Sequence, residues 1–121
     1  MPALSFQRRF VPAIENGTKR QTIRAERKRP IHVGDKLYLY SGMRTKQCRK
    51  IMDTVCISAE YVHIDCNEVR YVNGDLIVDL DGFAKQDGFY NFNCLVTWFM
   101  KNHELPFYGQ VIKWSIPADG L

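Results

Sequence analysis

"GDKLYLYSG", Gly34–Gly42, alternates with a period of two, so that Leu37 and Leu39 fall on one side and Tyr38 and Tyr40 on the other. A run of this kind is a strand with one apolar face, and it sets the centre of the chain as β structure. Upstream, "QTIRA" (21–25) alternates in the same way, and "ALSF" (3–6) is a further strand candidate. Downstream, residues 51–64 mix β-branched and aromatic side chains without helical spacing. "EVRYVNGDLIVDL" then sets Asn73-Gly74 between two alternating runs, the pattern of a tight hairpin turn. "FYGQVIKWSI" reads as the last strand and "PADGL" as a tail.

Two segments break the strand pattern. Along "FQRRFVPAIENG", Phe6, Phe10 and Ile14 recur every fourth residue, and Gly17 can follow a helix end. Pro12 fits only a first turn, so this helix is short. Further on, Phe92, Leu95, Val96, Phe99 and Met100 form the stripe of a longer helix, capped by Asn91 or Asn93 and ending before Pro106. The expected fold is α+β: one domain over residues 1–121, a small, partly closed, mostly antiparallel β-barrel with a short N-terminal helix and one longer helix before the last strand.

Composition is compatible with a self-sufficient core: 45% of the 121 residues are hydrophobic, 12% aromatic and 25% charged. Cys48, Cys56, Cys66 and Cys94 lack the paired spacing of a zinc knuckle and the density of a disulfide framework, so they read as buried or half-buried thiols. No apolar run is long enough to span a membrane and the amino terminus shows no leader-like segment, which leads to the expectation of a cytoplasmic protein. The net charge of +4 is unevenly spread. Residues 1–50 carry 13 Lys or Arg against Glu15, Glu26 and Asp35, whereas residues 51–121 carry 4 against 10 acids. One basic face that attracts an anion such as RNA or a nucleotide is the expectation, with solvated surface charge as the alternative.

"GTKRQTIR", Gly17–Arg24, concentrates Lys19, Arg20, Thr22 and Arg24 where a helix gives way to a strand. Thr22 and Arg24 share a face of an extended chain; Lys19 joins them only if the loop after Gly17 breaks the alternation. Taken alone, the segment also reads as a charge-rich strand edge. A second cluster, "DGFAKQDGF", repeats Asp81-Gly82-Phe83 as Asp87-Gly88-Phe89 just before the longer helix. Aspartates in such places are usually turn or cap residues, the reading adopted for Asp81. His32, His63 and His103 have no ligand spacing and read as surface or capping histidines, so neither a metal nor another cofactor is called for.

Taken in order, "GTKRQTIR", "VGDKLYLYSG", "AKQDGFYNFNCLVTWF" and "FYGQVIKWSI" resemble the motifs of the ASCH domains of the PUA-like superfamily, over about residues 4–116. The resemblance implies a β-barrel with a cleft for RNA or nucleotide-like ligands. Some small bacterial ASCH proteins are amidohydrolases that remove the acyl group from N(4)-acetylcytidine with a Lys, a Thr and a Glu. Matched by position, these fall on Lys19, Thr22 and Asp87, the acid being one methylene shorter here. Arg24 matches the arginine of the motif.

The residue types suit that chemistry. A threonine hydroxyl becomes a nucleophile once a base takes its proton, and a desolvated lysine among other cations can be that base. Arg20 and Arg24 are candidates for the cationic field, and Asp87 for handling water or the leaving-group proton. Lys19 could itself take the acyl group. Tyr38, Phe89, Tyr90 and Tyr108 are candidates to stack on the base, while Trp98 and Phe99 read as core. The expected partner is a small nucleoside substrate, with RNA possible and no membrane. The alternatives are an RNA-binding module without catalysis and, third, a ribonuclease.

Overall fold

Leu37 and Leu39 are both fully buried on β3 (Lys36–Ser41), in a computed structural model that describes residues 3–25, 28–66, 68–71 and 76–115. On one side β3 pairs in parallel with β1 (Ala3–Phe6); on the other it pairs antiparallel with the first part of β4 (Arg49–Ile64). β4 runs for 16 residues and changes partners midway. Its ladder to β3 ends at Val55, and its ladder to the antiparallel strand β6 (Phe107–Trp114) begins at Cys56, with a register shift between Cys56 and Ser58. An extra residue at such a bulge bends a strand and sharpens its twist, which carries β4 from one half of the sheet to the other. β2 (Gln21–Ala25) pairs antiparallel with β6, and the short β5 (Val69–Tyr71) with the far end of β4. The strand order is β1-β3-β4-β6-β2, with β5 beside β4.

The α+β class is as expected, and the closure of the barrel is corrected: this is a bent, open, mixed sheet. β1 and β2 are its two ends, and among the described residues no ladder joins them. A side chain spans the gap instead. Arg24 on β2 donates from Nη2 to the carbonyl of Ser5 on β1 at 2.7 Å. Where backbones would meet in a closed barrel, a long cationic side chain and the space around it lie between the strands.

The helices cover the sheet. A 3-10 turn (Arg8–Phe10) leads into α1 (Val11–Glu15), with Pro12 in the first turn, where its missing N–H costs nothing. α3 (Phe92–Asn102) buries Phe92, Leu95, Val96 and Phe99, as the stripe predicts, while Met100 at the stripe's edge is exposed. Asn91 caps α3, accepting from the Cys94 amide at 2.9 Å.

Between β5 and α3 the sequence reading needs revision. The turn predicted at Asn73-Gly74 lies outside the described residues. Of the run after it, only Leu76 forms a strand-like bridge, with the Ile77 amide donating to the Val69 carbonyl at 3.0 Å. The chain then enters α2 (Leu80–Gln86), which "DGFAKQ" hides because Asp and Gly favour turns over helix interiors. Gly82 is accommodated because the Asp79 side chain caps α2, accepting from the Gly82 amide at 2.9 Å, and lies where a Cβ would stand. Cys56 is buried, but Cys48, Cys66 and Cys94 are exposed, which corrects their reading as buried or half-buried; all four are free thiols.

Candidate active site

The three parts of "GTKRQTIR" take different conformations. Gly17 has φ +85°, and after this turn the Lys19 amide donates to the Ala13 carbonyl at 2.9 Å, which folds the segment back on α1. The strand begins at Gln21, so the alternation is broken between Lys19 and Thr22. That break brings Lys19 to the face of β2 shared by Thr22 and Arg24, and all three line one cavity of about 210 Å³.

"DGF" supplies the opposite wall. Asp87 is the C-cap of α2; Gly88, with φ +93°, donates to the Lys85 carbonyl at 3.0 Å, and Phe89 donates to the Ala84 carbonyl at 2.9 Å. These crossed bonds are a Schellman motif, which needs a residue of positive φ after the cap. A Cβ on Gly88 would also stand 2.8 Å from the Phe10 ring and 3.0 Å from Lys19 Cδ. Asp81 plays the cap role expected of it, but across helices: its Oδ1 accepts from the Phe92 amide at 3.0 Å, which fixes the start of α3.

Lys19 is only 2% exposed, Thr22 5% and Asp87 5%. Lys19 Nζ donates to the carbonyls of Gln21, at 2.8 Å, and of Asp87, and lies 3.7 Å from Asp87 Oδ2. It also sits 4.8 Å from the centre of the Phe10 ring. Burial pushes the Lys19 ammonium down from 10.5 to about 8; the Asp87 carboxylate opposes this, while Arg24 and Arg9 add to it. Burial likewise pushes Asp87 up from 3.8 to about 6, against the pull of Lys19. At neutral pH the ion pair prevails, with each partner near the loss of its charge. The buried side chains of Gln21 and Lys19 stand beside the Asp87 carboxylate and oppose its rise, and Asp87 Oδ1 makes no close hydrogen bond among the described residues.

Arg24 organises the third member. Its Nε donates to Thr22 Oγ1 at 3.0 Å while Nη2 holds Ser5. A guanidinium can only donate, so Thr22 Oγ1 is the acceptor and its own proton points elsewhere. We predict that Arg24→Ala lowers stability by about 1–3 kcal/mol in urea unfolding, since two charge-assisted hydrogen bonds are lost. Arg24→Lys should not restore it, because an ammonium does not reproduce the fork that reaches both acceptors.

Of the other residues singled out in the sequence, Phe89 lines the cavity. Arg20 does not: it is exposed and its Nε donates to the Gly17 carbonyl at 2.9 Å. Tyr38 lies on β3 with Lys50 Nζ 5.2 Å from its ring centre, Tyr90 is 81% exposed, and Tyr108 stacks on His63 at 4.8 Å; none of them lines the cavity. Instead the aromatic walls come from Phe6, Phe10, Trp98 and Phe99, two of them assigned to the core from the helical stripe, and His103 sits at the rim as the C-cap of α3. Their signal in the sequence is the density of aromatics around "AKQDGF", together with Phe6 and Phe10 in the segment before "GTKRQTIR". No family model, curated protein or solved structure matches the chain.

Proposed function

We propose that the chain is a metal-free amidohydrolase of the ASCH, PUA-like type that removes the acyl group from N(4)-acylated cytosine nucleosides. The observation that carries this reading is the meeting of Lys19, Thr22 and Asp87, three buried polar side chains from two segments distant in sequence, in one aromatic-walled cavity. Buried polar groups with pKa values moved toward neutrality are costly in a structure and useful in proton transfer.

The chemistry runs in two halves. Neutral Lys19 takes the Thr22 hydroxyl proton as Oγ1 attacks the acyl carbonyl. Two N–H groups of Nζ are committed to backbone carbonyls, so the third position is the one that gives and receives protons. The tetrahedral intermediate collapses with cleavage of the C–N4 bond, the cytosine amine recovers a proton from Lys19, and an acyl-threonine ester remains. The ring delocalises electrons of the departing amine, so it leaves more readily than an alkylamine. Water then attacks the ester as Asp87 accepts its proton, the C–Oγ1 bond breaks, and Asp87 passes the proton on to Oγ1, which releases the carboxylic acid and restores both Thr22 and the Asp87 carboxylate. Arg24 orients Oγ1 and favours neutral Lys19. With its pKa lowered by burial to about 8, Lys19 is far more often neutral near pH 7 than an exposed lysine is. Phe89 and Trp98 offer faces against which the base can pack.

The test is direct: pure protein incubated with N(4)-acetylcytidine should release cytidine, followed by absorbance, and no release with acetyl or longer acyl groups would end the proposal. The pH profile adds a second check. Lys19 must be neutral and Asp87 ionised, so kcat/KM should climb between about pH 6 and about pH 8 and level off above. A maximum below pH 6 would contradict these roles.

A further inference from the structure

The cavity holding Lys19, Thr22 and Asp87 adjoins two others. One, of about 790 Å³, shares the wall formed by Ser5, Phe6 and Gln7 and is edged by Arg8 and Arg49. The other, of about 360 Å³, shares Phe89 and Trp98 and is edged by Arg9 and Lys101. The consecutive residues Arg8, Arg9 and Phe10 line the first, the second and the central cavity respectively. They form the 3-10 turn before α1, and three residues per turn send successive side chains about 120° apart. One short turn thus places an arginine in each side cavity and an aromatic ring in the middle.

The charges differ from those of ordinary solvated surface. Among the described residues no carboxylate lines the cavity of Arg9 and Lys101, where the uncharged polar side chains include Asn91, Asn93 and Thr97. In the larger cavity Glu15 pairs with Arg49 at 3.3 Å, which leaves the excess charge positive through Arg8. A free nucleoside is uncharged and needs neither excess.

We propose that the substrate is an acylated cytosine within a single-stranded polynucleotide, its base in the central cavity and the phosphates on its two sides in the flanking cationic cavities. This rests on the reading of the central cavity as the seat of the base. The apolar walls take the base, which must leave its neighbours' stack to enter, and the cations take the backbone that continues on either side.

The experiment measures binding of the unacylated product forms to the wild-type protein, so that it does not depend on turnover. The probes are cytidine and the trinucleotide CpCpC, which carries two phosphates. The trinucleotide should bind at least about tenfold more tightly. Release of counterions from two phosphates gives a log–log salt slope near −1.4, so its affinity should fall about sevenfold between about 50 and 200 mM salt, whereas cytidine should be insensitive. Arg8→Ala and Lys101→Ala, both at exposed positions, should each weaken trinucleotide binding several-fold and leave hydrolysis of N(4)-acetylcytidine unchanged. Equal affinity for the two probes, or trinucleotide binding indifferent to both substitutions, would overturn the proposal. Turnover of N(4)-acetylcytidine without preference for the trinucleotide would remove the flanking subsites and keep the hydrolase. Salt-dependent trinucleotide binding without turnover of any acylated form would do the reverse.

Discussion

Thr22→Ala is expected to reduce hydrolysis of N(4)-acetylcytidine by at least about 10⁴-fold, the scale on which removal of a covalent nucleophile acts. The fold should survive. Thr22 lies on β2 with its Oγ1 accepting one hydrogen bond from Arg24, so the substitution costs about 1 kcal/mol in unfolding. Thr22→Ser keeps the hydroxyl and should retain turnover, which separates loss of the nucleophile from damage to the strand. An alanine variant within tenfold of wild type would move the nucleophilic role away from Thr22.

The second large effect joins activity to stability. Replacing the buried pair by neutral groups of similar shape, Lys19→Met with Asp87→Asn, should abolish turnover and at the same time stabilise the protein at pH 7, because desolvation of two buried charges exceeds what their attraction returns. The gain is less than the full relief, since the Gln21 and Asp87 carbonyls lose Lys19 as donor. The dependence on pH follows from the two shifts. Lys19 titrates near 8 in the folded protein and at 10.5 when unperturbed, so its charging penalty is complete below about 8 and is relieved as pH rises from there toward 10.5. Asp87 titrates near 6 rather than 3.8, so its penalty is complete above about 6 and is relieved as pH falls toward 3.8. The advantage of the double variant should therefore be greatest between about pH 6 and pH 8 and shrink on both sides. Urea unfolding of both proteins across this range checks it; a double variant less stable than wild type at pH 7 would mean that the pair contributes to the fold.

What the sequence revealed follows from how local each signal is. The alternation at Leu37 and Leu39 and the stripe from Phe92 to Phe99 specify a strand and a helix through near neighbours, and both stand as read. α2 was hidden because its helical interior depends on Asp79 reaching over Gly82, a contact that composition alone does not announce. Barrel closure depends on how β4 bends and how far apart β1 and β2 come to lie, a long-range property for which the strand pattern carries no signal. At the site, Lys19, Thr22 and Asp87 were found through motif order, and the turn at Gly17 is what permits them to meet. Arg20 and Tyr90 carry suitable chemistry but point elsewhere, since residue type does not fix direction. Trp98 and Phe99 do pack in or against the core, as the helical stripe suggests, but the same helix also presents them to the cavity, which a stripe does not disclose.

Acyl transfer to Thr22 leaves an ester on the protein, and that intermediate can be caught. Asp87→Asn removes the group assigned to activate water, so the ester should accumulate when this variant is mixed with N(4)-acetylcytidine and quenched in acid. Intact mass and peptide mapping should then find one acetyl group per chain, on Thr22, with one equivalent of cytidine released. An acetyl group on Lys19, or release of cytidine with no acylated protein at any time, would rule out Thr22 as the acyl acceptor.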